Sequence, residues 1–293
     1  MRISVIIASK DRARYVERAL GSLSRQINAP SFEVIVVDNN SSDDTKAVVE
    51  HAQSTLRFPI SYVFEAEPNR GKARNRGIAI AQGYLVLFVD DDISAPPGLL
   101  AAHEAAHVTS NLIVNGPILN VSGYDDVPKP AFSNYSRAFL CTCNVSVPKH
   151  ALDAVHGFDE DFKLYGWEDT ELGVRLRERG LRWRFAWDAY LWHIKPPTEN
   201  TLEVETQKAL EKAQMASQFI RKQSSPRARM AAGAYGLNLV RGKYFLPDRL
   251  LAVFAGLATS TSAPSPVRAF ARAQFLDGMY TRELIRALET PVP

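Results

Sequence analysis

Three carboxylates in a row, Asp90-Asp91-Asp92, follow six apolar residues, Tyr84 to Val89. Like charges this close disfavour one another's ionised forms unless a cation compensates them. A divalent ion does so, and Mg²⁺ or Mn²⁺ prefers oxygen donors and bridges to diphosphates. Asp90 and Asp92 fall on one side of the chain, and Asp92 is the better placed ligand. One acid is enough to cap the helix that Ser94-Ala95-Pro96-Pro97 introduces; three point to an ion. A second acidic pair, Glu168-Asp169, follows Trp167. That combination offers a ring on which a sugar can stack and a carboxylate able to take a proton from a hydroxyl. His103 and His107 have the four-residue spacing of a helical metal pair, but their alanine-rich surroundings read as an ordinary helix face. Cys141 and Cys143, the only cysteines, make no disulfide framework and fit a reducing compartment. As a zinc site they lack two ligands.

Elements must bring these groups together. Ile3 to Ala8, Phe32 to Val37, Ile60 to Phe64 and Tyr84 to Val89 are apolar runs without polar alternation, and helical patterns separate them. Such strands are covered on both faces, which predicts a mostly parallel α/β sheet flanked by helices. In open sheets of this kind ligands bind beyond the carboxyl ends of the strands. Ala8-Ser9, Asp38-Asn39 and Asp90-Asp91-Asp92 all fall at those ends. Further on, Leu112 to Val114 and Cys141 to Val147 read as strands around a long loop, 122–136, of the length used for lids and binding segments. Trp167 to Gly180 reads as a helix. Leu181, Trp183, Phe185 and Trp187 alternate with Arg182 and Arg184 as in a half-buried strand. Past Pro196-Pro197 the pattern is helical to the end, so the expected division is 1–198 (halves 1–111 and 112–198) and 199–293.

The segments Ser4-Val5-Ile6-Ile7-Ala8-Ser9, Val36-Val37-Asp38-Asn39-Asn40-Ser41-Ser42-Asp43-Asp44-Thr45, Gly71-Lys72-Ala73-Arg74-Asn75-Arg76-Gly77 and Phe88-Val89-Asp90-Asp91-Asp92 occur in this order. Together they resemble the family 2 glycosyltransferases, over roughly residues 1–195. The resemblance implies a GT-A (Rossmann-like) fold and an inverting transfer of a sugar from a nucleotide-sugar, a UDP-sugar, to an acceptor hydroxyl in polysaccharide, glycolipid or glycoconjugate assembly. It implies that Ala8, Ser9, Arg12, Asp38, Asn40, Arg74, Asp90, Asp91 and Trp167 surround the donor, with Asp38 accepting from the base. Residues 162–176, with Trp167-Glu168-Asp169, look like the corresponding region of galactosyl- and N-acetylgalactosaminyltransferases. That likeness makes Asp169 the general base and Glu168 a ligand of donor or acceptor, and it tilts the donor towards galactose. A histidine after the following strand is a metal ligand in related enzymes, so Asp92 and His193 would hold Mn²⁺ or Mg²⁺. The alternatives are a sugar nucleotidyltransferase, which wants a glycine-rich loop where Ser9-Lys10-Asp11-Arg12 stands, and a non-catalytic nucleotide-sugar-binding module.

A net charge of +3 and a pI near 8.8 suit a phosphorylated small molecule or an anionic membrane surface and do not demand nucleic acid. Met1 leads directly into a strand rather than a signal peptide, and no apolar run approaches the roughly 20 residues of a membrane span. The expected location is the cytoplasm, or the inner face of the cell membrane as a peripheral protein. There Arg221, Lys222, Arg227, Arg229, Arg241, Lys243 and Arg249, beside apolar stretches, would meet anionic lipid and lipid-linked acceptors. A packed helical cap or a homodimer contact is the competing use of that surface.

Overall fold

Four strands, β1 (Ile3–Ser9), β2 (Phe32–Asp38), β3 (Ile60–Phe64) and β4 (Leu85–Val89), run parallel and alternate with helices α1 (Ala13–Leu23), α2 (Thr45–Thr55) and α3 (Arg70–Ile80); β1, β2 and β4 are buried along most of their length, and β3, at the sheet's edge, is half-buried. The structure, a computed structural model, describes residues 2–196 and 201–290. Its contacts divide into two units, Met1–Lys163 with Glu168–Pro196, and Leu164–Trp167 with Pro197–Pro293.

In the first unit a seven-stranded sheet has the order β3-β2-β1-β4-β8-β6-β9. β8 (Asn144–Pro148) is antiparallel to both neighbours, and β6 (Leu112–Asn115) pairs in parallel with β9 (Arg182–Phe185). Strand order reverses between β1 and β4, so a crevice opens at their carboxyl ends. Ser9 and the acidic triplet border it. A small second sheet, β5 (Ile93–Ser94), β10 (Leu191–Ile194) and β7 (Ile118–Val121), pairs Ile93 with His193. That pairing carries His193 back to the triplet across 100 residues of chain. Apolar clusters lie on both faces of the large sheet, one built on Ile3, Val5 and Ile7 and the other on Ile6, Ile35 and Phe88. α4 (Leu99–Ala106), α5 (Lys149–Ala154) and α6 (Glu168–Glu178) complete the unit's longer elements.

Two expectations shift. The strand read from Cys141 begins only at Asn144, because Asn144 N–H donates to Cys141 O (3.0 Å) and turns the chain. Cys143 therefore sits in a turn rather than in the ladder. The pair His103 and His107, read as an ordinary helix face, is turned inward: both rings lie against Ser146 Oγ (2.8 and 2.7 Å), and His103 is fully buried. At two glycines close approach decides the residue. A Cβ on Gly116 would stand 1.6 Å from Ala189 O, and one on Gly77 would stand 2.7 Å from the Ile6 side chain.

The second unit is helical, with α7 (Leu202–Lys222), α8 (Pro226–Ala231), α9 (Gly236–Val240), a π-turn (Arg241–Phe245), α10 (Asp248–Thr259) and α11 (Ser265–Glu289). Thr201 caps α7 and Ser225 caps α8 through side-chain oxygens. None of the described helices is long and apolar enough to cross a membrane.

Candidate active site

The β1–α1 loop is fixed to the β2–α2 loop before any ligand arrives. Asp11, held at φ 53°, accepts from Ser42 N–H (2.6 Å) and donates its own N–H to Ser41 Oγ, while Asp43 accepts from Ala13 N–H (2.9 Å). Asp38, buried at the end of β2, accepts from Ser41 N–H and from Tyr62 O–H (2.7 Å). Neighbouring Asn40 is exposed and adopts a left-handed φ of 65°. Ala8 lies half-buried at the end of β1.

The triplet divides its labour. Asp91 accepts from Ser9 O–H (2.7 Å) and from Arg12 (3.0 Å), and burial nevertheless pushes its carboxyl up to about 6. Asp92 also accepts from Arg12 (2.8 Å). Burial opposes its ionisation too, but His193 and Arg12 outweigh burial and hold it at about 2. Asp90 is the open member, 3.6 Å from Arg74.

The Asp92–His193 pair passes a test for a cation. Asn120 Oδ1 lies 3.0 Å from His193 Nδ1, and Nε2 of the same ring lies 2.9 Å from Asp92 Oδ1, so the imidazole is oriented between an outer amide and a carboxylate. Asp92 Oδ1 is buried and has no hydrogen-bond partner. An imidazole oriented by an outer amide and set beside a carboxylate is a usual form of metal ligand. The residues fit Mn²⁺, or Mg²⁺ with less use of the nitrogen.

Arg74 joins the triplet to the second acidic pair. It is buried in α3, with Nη1 3.4 Å from Glu168 Oε1 and 4.0 Å from Asp169 Oδ1, and Nη2 reaching Asp90. Burial disfavours its charge, and the carboxylates of Asp169, Glu168 and Asp90 more than restore it. The Gly71–Gly77 segment is explained around this residue. Asn69 caps the helix by accepting from Lys72 N–H, Asn75 binds both N–H and C=O of Phe158, and Gly77 admits Ile6. Asp169 accepts from Thr142 N–H (2.9 Å) and Thr142 O–H (3.0 Å). Burial first, and Glu168 second, raise its carboxyl to about 6 against the pull of Arg74 and Thr142. Glu168 keeps one buried oxygen, Oε2, with no hydrogen-bond partner, poised to accept from a ligand hydroxyl. At the first turn of α6 both acids also face the helix's positive end.

Two bonded groups thus meet at the acidic triplet: Ser9, Arg12, Asp91, Asp92 and His193 form one, and Arg74 with Asp90, Glu168 and Asp169 forms the other. Ala8, Asp38 and Asn40 border them on the β1 and β2 side. Trp167 belongs to the helical unit, where its ring stacks on Phe219 at 4.9 Å. Two members have no sequence signal, Thr142 under Asp169 and Asn120 behind His193; Cys143, which the sequence offers only as half of an incomplete zinc pair, has its sulfur within 4.8 Å of ligand atoms of Asp90 and His193.

Residues 4–144 match the profile of glycosyl transferase family 2, and residues 127–195 match that of the N-terminal domain of galactosyltransferase. Validoxylamine A glucosyltransferase of Streptomyces hygroscopicus subsp. limoneus is 31% identical over 243 residues, covering 69% of this chain and 53% of the relative. The chain spans about half the length of the curated relatives it matches first. The mannosyltransferase PcManGT from Pyrobaculum calidifontis, solved with GDP-Man and Mn²⁺, superposes with a TM-score of 0.66 at 20% identity, covering 98% of this chain and 86% of the other. Residues 1–349 of Staphylococcus aureus TarS, solved with UDP-GlcNAc, give 0.58 at 21%, covering 98% and 92%.

Proposed function

The first unit belongs to the family 2 glycosyltransferases and has the GT-A fold, and from that premise we propose that the protein transfers a sugar from a UDP-sugar to an acceptor hydroxyl with inversion. One observation carries the reading: Arg74 holds Asp90, Glu168 and Asp169 around a single guanidinium, so a cation-binding carboxylate cluster and a proton-accepting carboxylate share one end of the sheet.

Asp38 accepts the imide N–H of the base, and the β1–α1 loop, pinned at Asp11 and Asp43, lines the nucleoside. Asp92 and His193 would hold a divalent ion, which when bound would supply charge neutralisation for a diphosphate leaving group. Arg12 adds a second positive group beside the same carboxylates. Asp169, ionised above about pH 6, takes the acceptor's proton. Attack from the face opposite the leaving group inverts the anomeric centre, and Glu168 Oε2 accepts from a sugar hydroxyl.

Asp169→Asn is the direct test. Turnover should fall about 10²- to 10⁴-fold, the usual contribution of a positioned base, with UDP-sugar affinity nearly intact; unchanged turnover removes Asp169 from the role. A nucleotide-sugar panel, with turnover and anomeric configuration read by NMR, identifies the donor and tests inversion. Glucose and galactose donors come first, because the chain resembles transferases of both kinds. Synthesis of a nucleotide-sugar from sugar phosphate and UTP would instead identify a nucleotidyltransferase.

The acceptor is a glycan or lipid-linked hydroxyl met at the cytoplasmic face of the membrane. Support comes from the helical unit, where Leu237, Tyr244 and Phe245 are 80%, 68% and 69% exposed. Residues 221–249 carry seven Lys or Arg against one Asp, a net +6 (7 − 1). Co-sedimentation with phosphatidylglycerol vesicles but not phosphatidylcholine vesicles, weakened by salt, is expected. Failure to bind either, together with a concentration-dependent dimer, would assign the surface to self-association.

A further inference from the structure

Two cysteines one residue apart make half a metal site at best, but the fold adds the missing donors. The Cys141–Asn144 turn withdraws Cys143 from β8 and sets it beside the end of β4 and His193 of β10. Its sulfur, a carboxylate oxygen of Asp90 and a ring nitrogen of His193 all lie within 4.8 Å of one another. Donors around a tetrahedral ion at about 2.0–2.3 Å stand roughly 3.3–3.8 Å apart, so closing the set takes shifts of about 1 Å. Asp92 Oδ1, buried 2.9 Å from His193 Nε2 but outside that set of three, becomes a fourth donor when its side chain turns towards the ion.

We propose that Cys143 Sγ is a ligand of the active-site cation, completing a mixed site with His193 and the carboxylates of Asp90 and Asp92. The site then takes a thiophilic divalent ion, Zn²⁺ or Co²⁺, far more tightly than the oxygen-seeking Mg²⁺. The inference rests on the cation-site reading above and extends it to a fresh ligand. Binding displaces the thiol proton to solvent and forms a metal–sulfur bond, with no change of oxidation state. Charge permits a third anionic donor, since Arg12 lies against Asp91 and Asp92 and Arg74 stands 3.6 Å from Asp90. Cys141 is the internal control, as it is absent from the cluster.

Co²⁺ titration of the full chain with UDP, followed by absorbance and calorimetry, decides the matter. The wild type and Cys141→Ser should develop the near-ultraviolet thiolate-to-cobalt band with one equivalent bound. Cys143→Ser should lose the band and bind Co²⁺ at least 10-fold more weakly, the lower end of what losing even an outer-shell partner costs, with Mg²⁺ affinity and the circular dichroism spectrum unchanged. Co²⁺ bound at one equivalent with no thiolate band in the wild type overturns the ligation by Cys143 and leaves the cation site standing. No Co²⁺ or Mn²⁺ bound with UDP present overturns both.

Discussion

Buried beside Glu168, the Asp169 carboxyl is pushed up to about 6 and kept from rising further by Arg74 and the Thr142 donors. A base must be ionised, so kcat/KM is expected to fall as pH drops through about 6, with the donor's Kd far less affected. Removing the Thr142 hydroxyl withdraws a hydrogen bond made to the charged form. Thr142→Val should therefore move that acid limb upward by about one pH unit, equivalent to about 1.4 kcal/mol; an unmoved limb would show that Thr142 does not act on the titrating group. The chemistry-bearing residues were legible because their types are costly anywhere else: three adjacent aspartates, a Trp-Glu-Asp run, an arginine amid small residues. Thr142 and Asn120 were not, and Cys143 was visible only as half of an incomplete pair, because each gains its role from a partner 27 or more residues away. Nothing in the local types of a threonine, an asparagine or a cysteine marks such a meeting.

The parallel strands were equally plain, since uninterrupted apolar runs have one economical home, a sheet covered on both faces. Where the polar pattern failed, a turn or a very short element was responsible. Cys141-Thr142-Cys143 continues the apolar run of β8 until one backbone hydrogen bond bends it away. The two residues of β5 are too few to register, so the small sheet that delivers His193 could not be foreseen. Helix α4 is an ordinary, non-metal face as read, but His103 on its inner side and His107 at its C-cap are turned inward as neutral hydrogen-bonding groups. Burial lowers His103 to about 4, and His107, lowered to about 3, adds to the effect. In the unfolded chain these rings take up protons near pH 6.5, so between about 6.5 and 4 the unfolded state binds more protons and stability falls with falling pH. His103 alone accounts for about 3 kcal/mol at the acid end. Thermal unfolding across that range should show the loss, and a flat profile would contradict neutral burial. At the sheet's rim Gly116→Ala forces backbone apart at Ala189 and should cost about 3 kcal/mol, the upper end for overpacking, read as a lowered Tm.

Taken as a whole, the chain distributes its charge unevenly between its parts. The stretch 221–249 alone holds +6, while the complete sequence holds +3, which leaves −3 for everything else (3 − 6). The acidic remainder includes the carboxylates gathered around Arg12 and Arg74, and the basic stretch includes exposed Tyr244 and Phe245. Vesicle binding should accordingly track local rather than net charge, and reversing Lys243 and Arg249 to Glu should abolish it while donor hydrolysis continues. Such a distribution has a practical signature. Near pH 8.8, where the molecule as a whole carries no charge, it should still be held by a sulfonate resin, because a polyanionic bead samples one side of a tumbling solute and not its average.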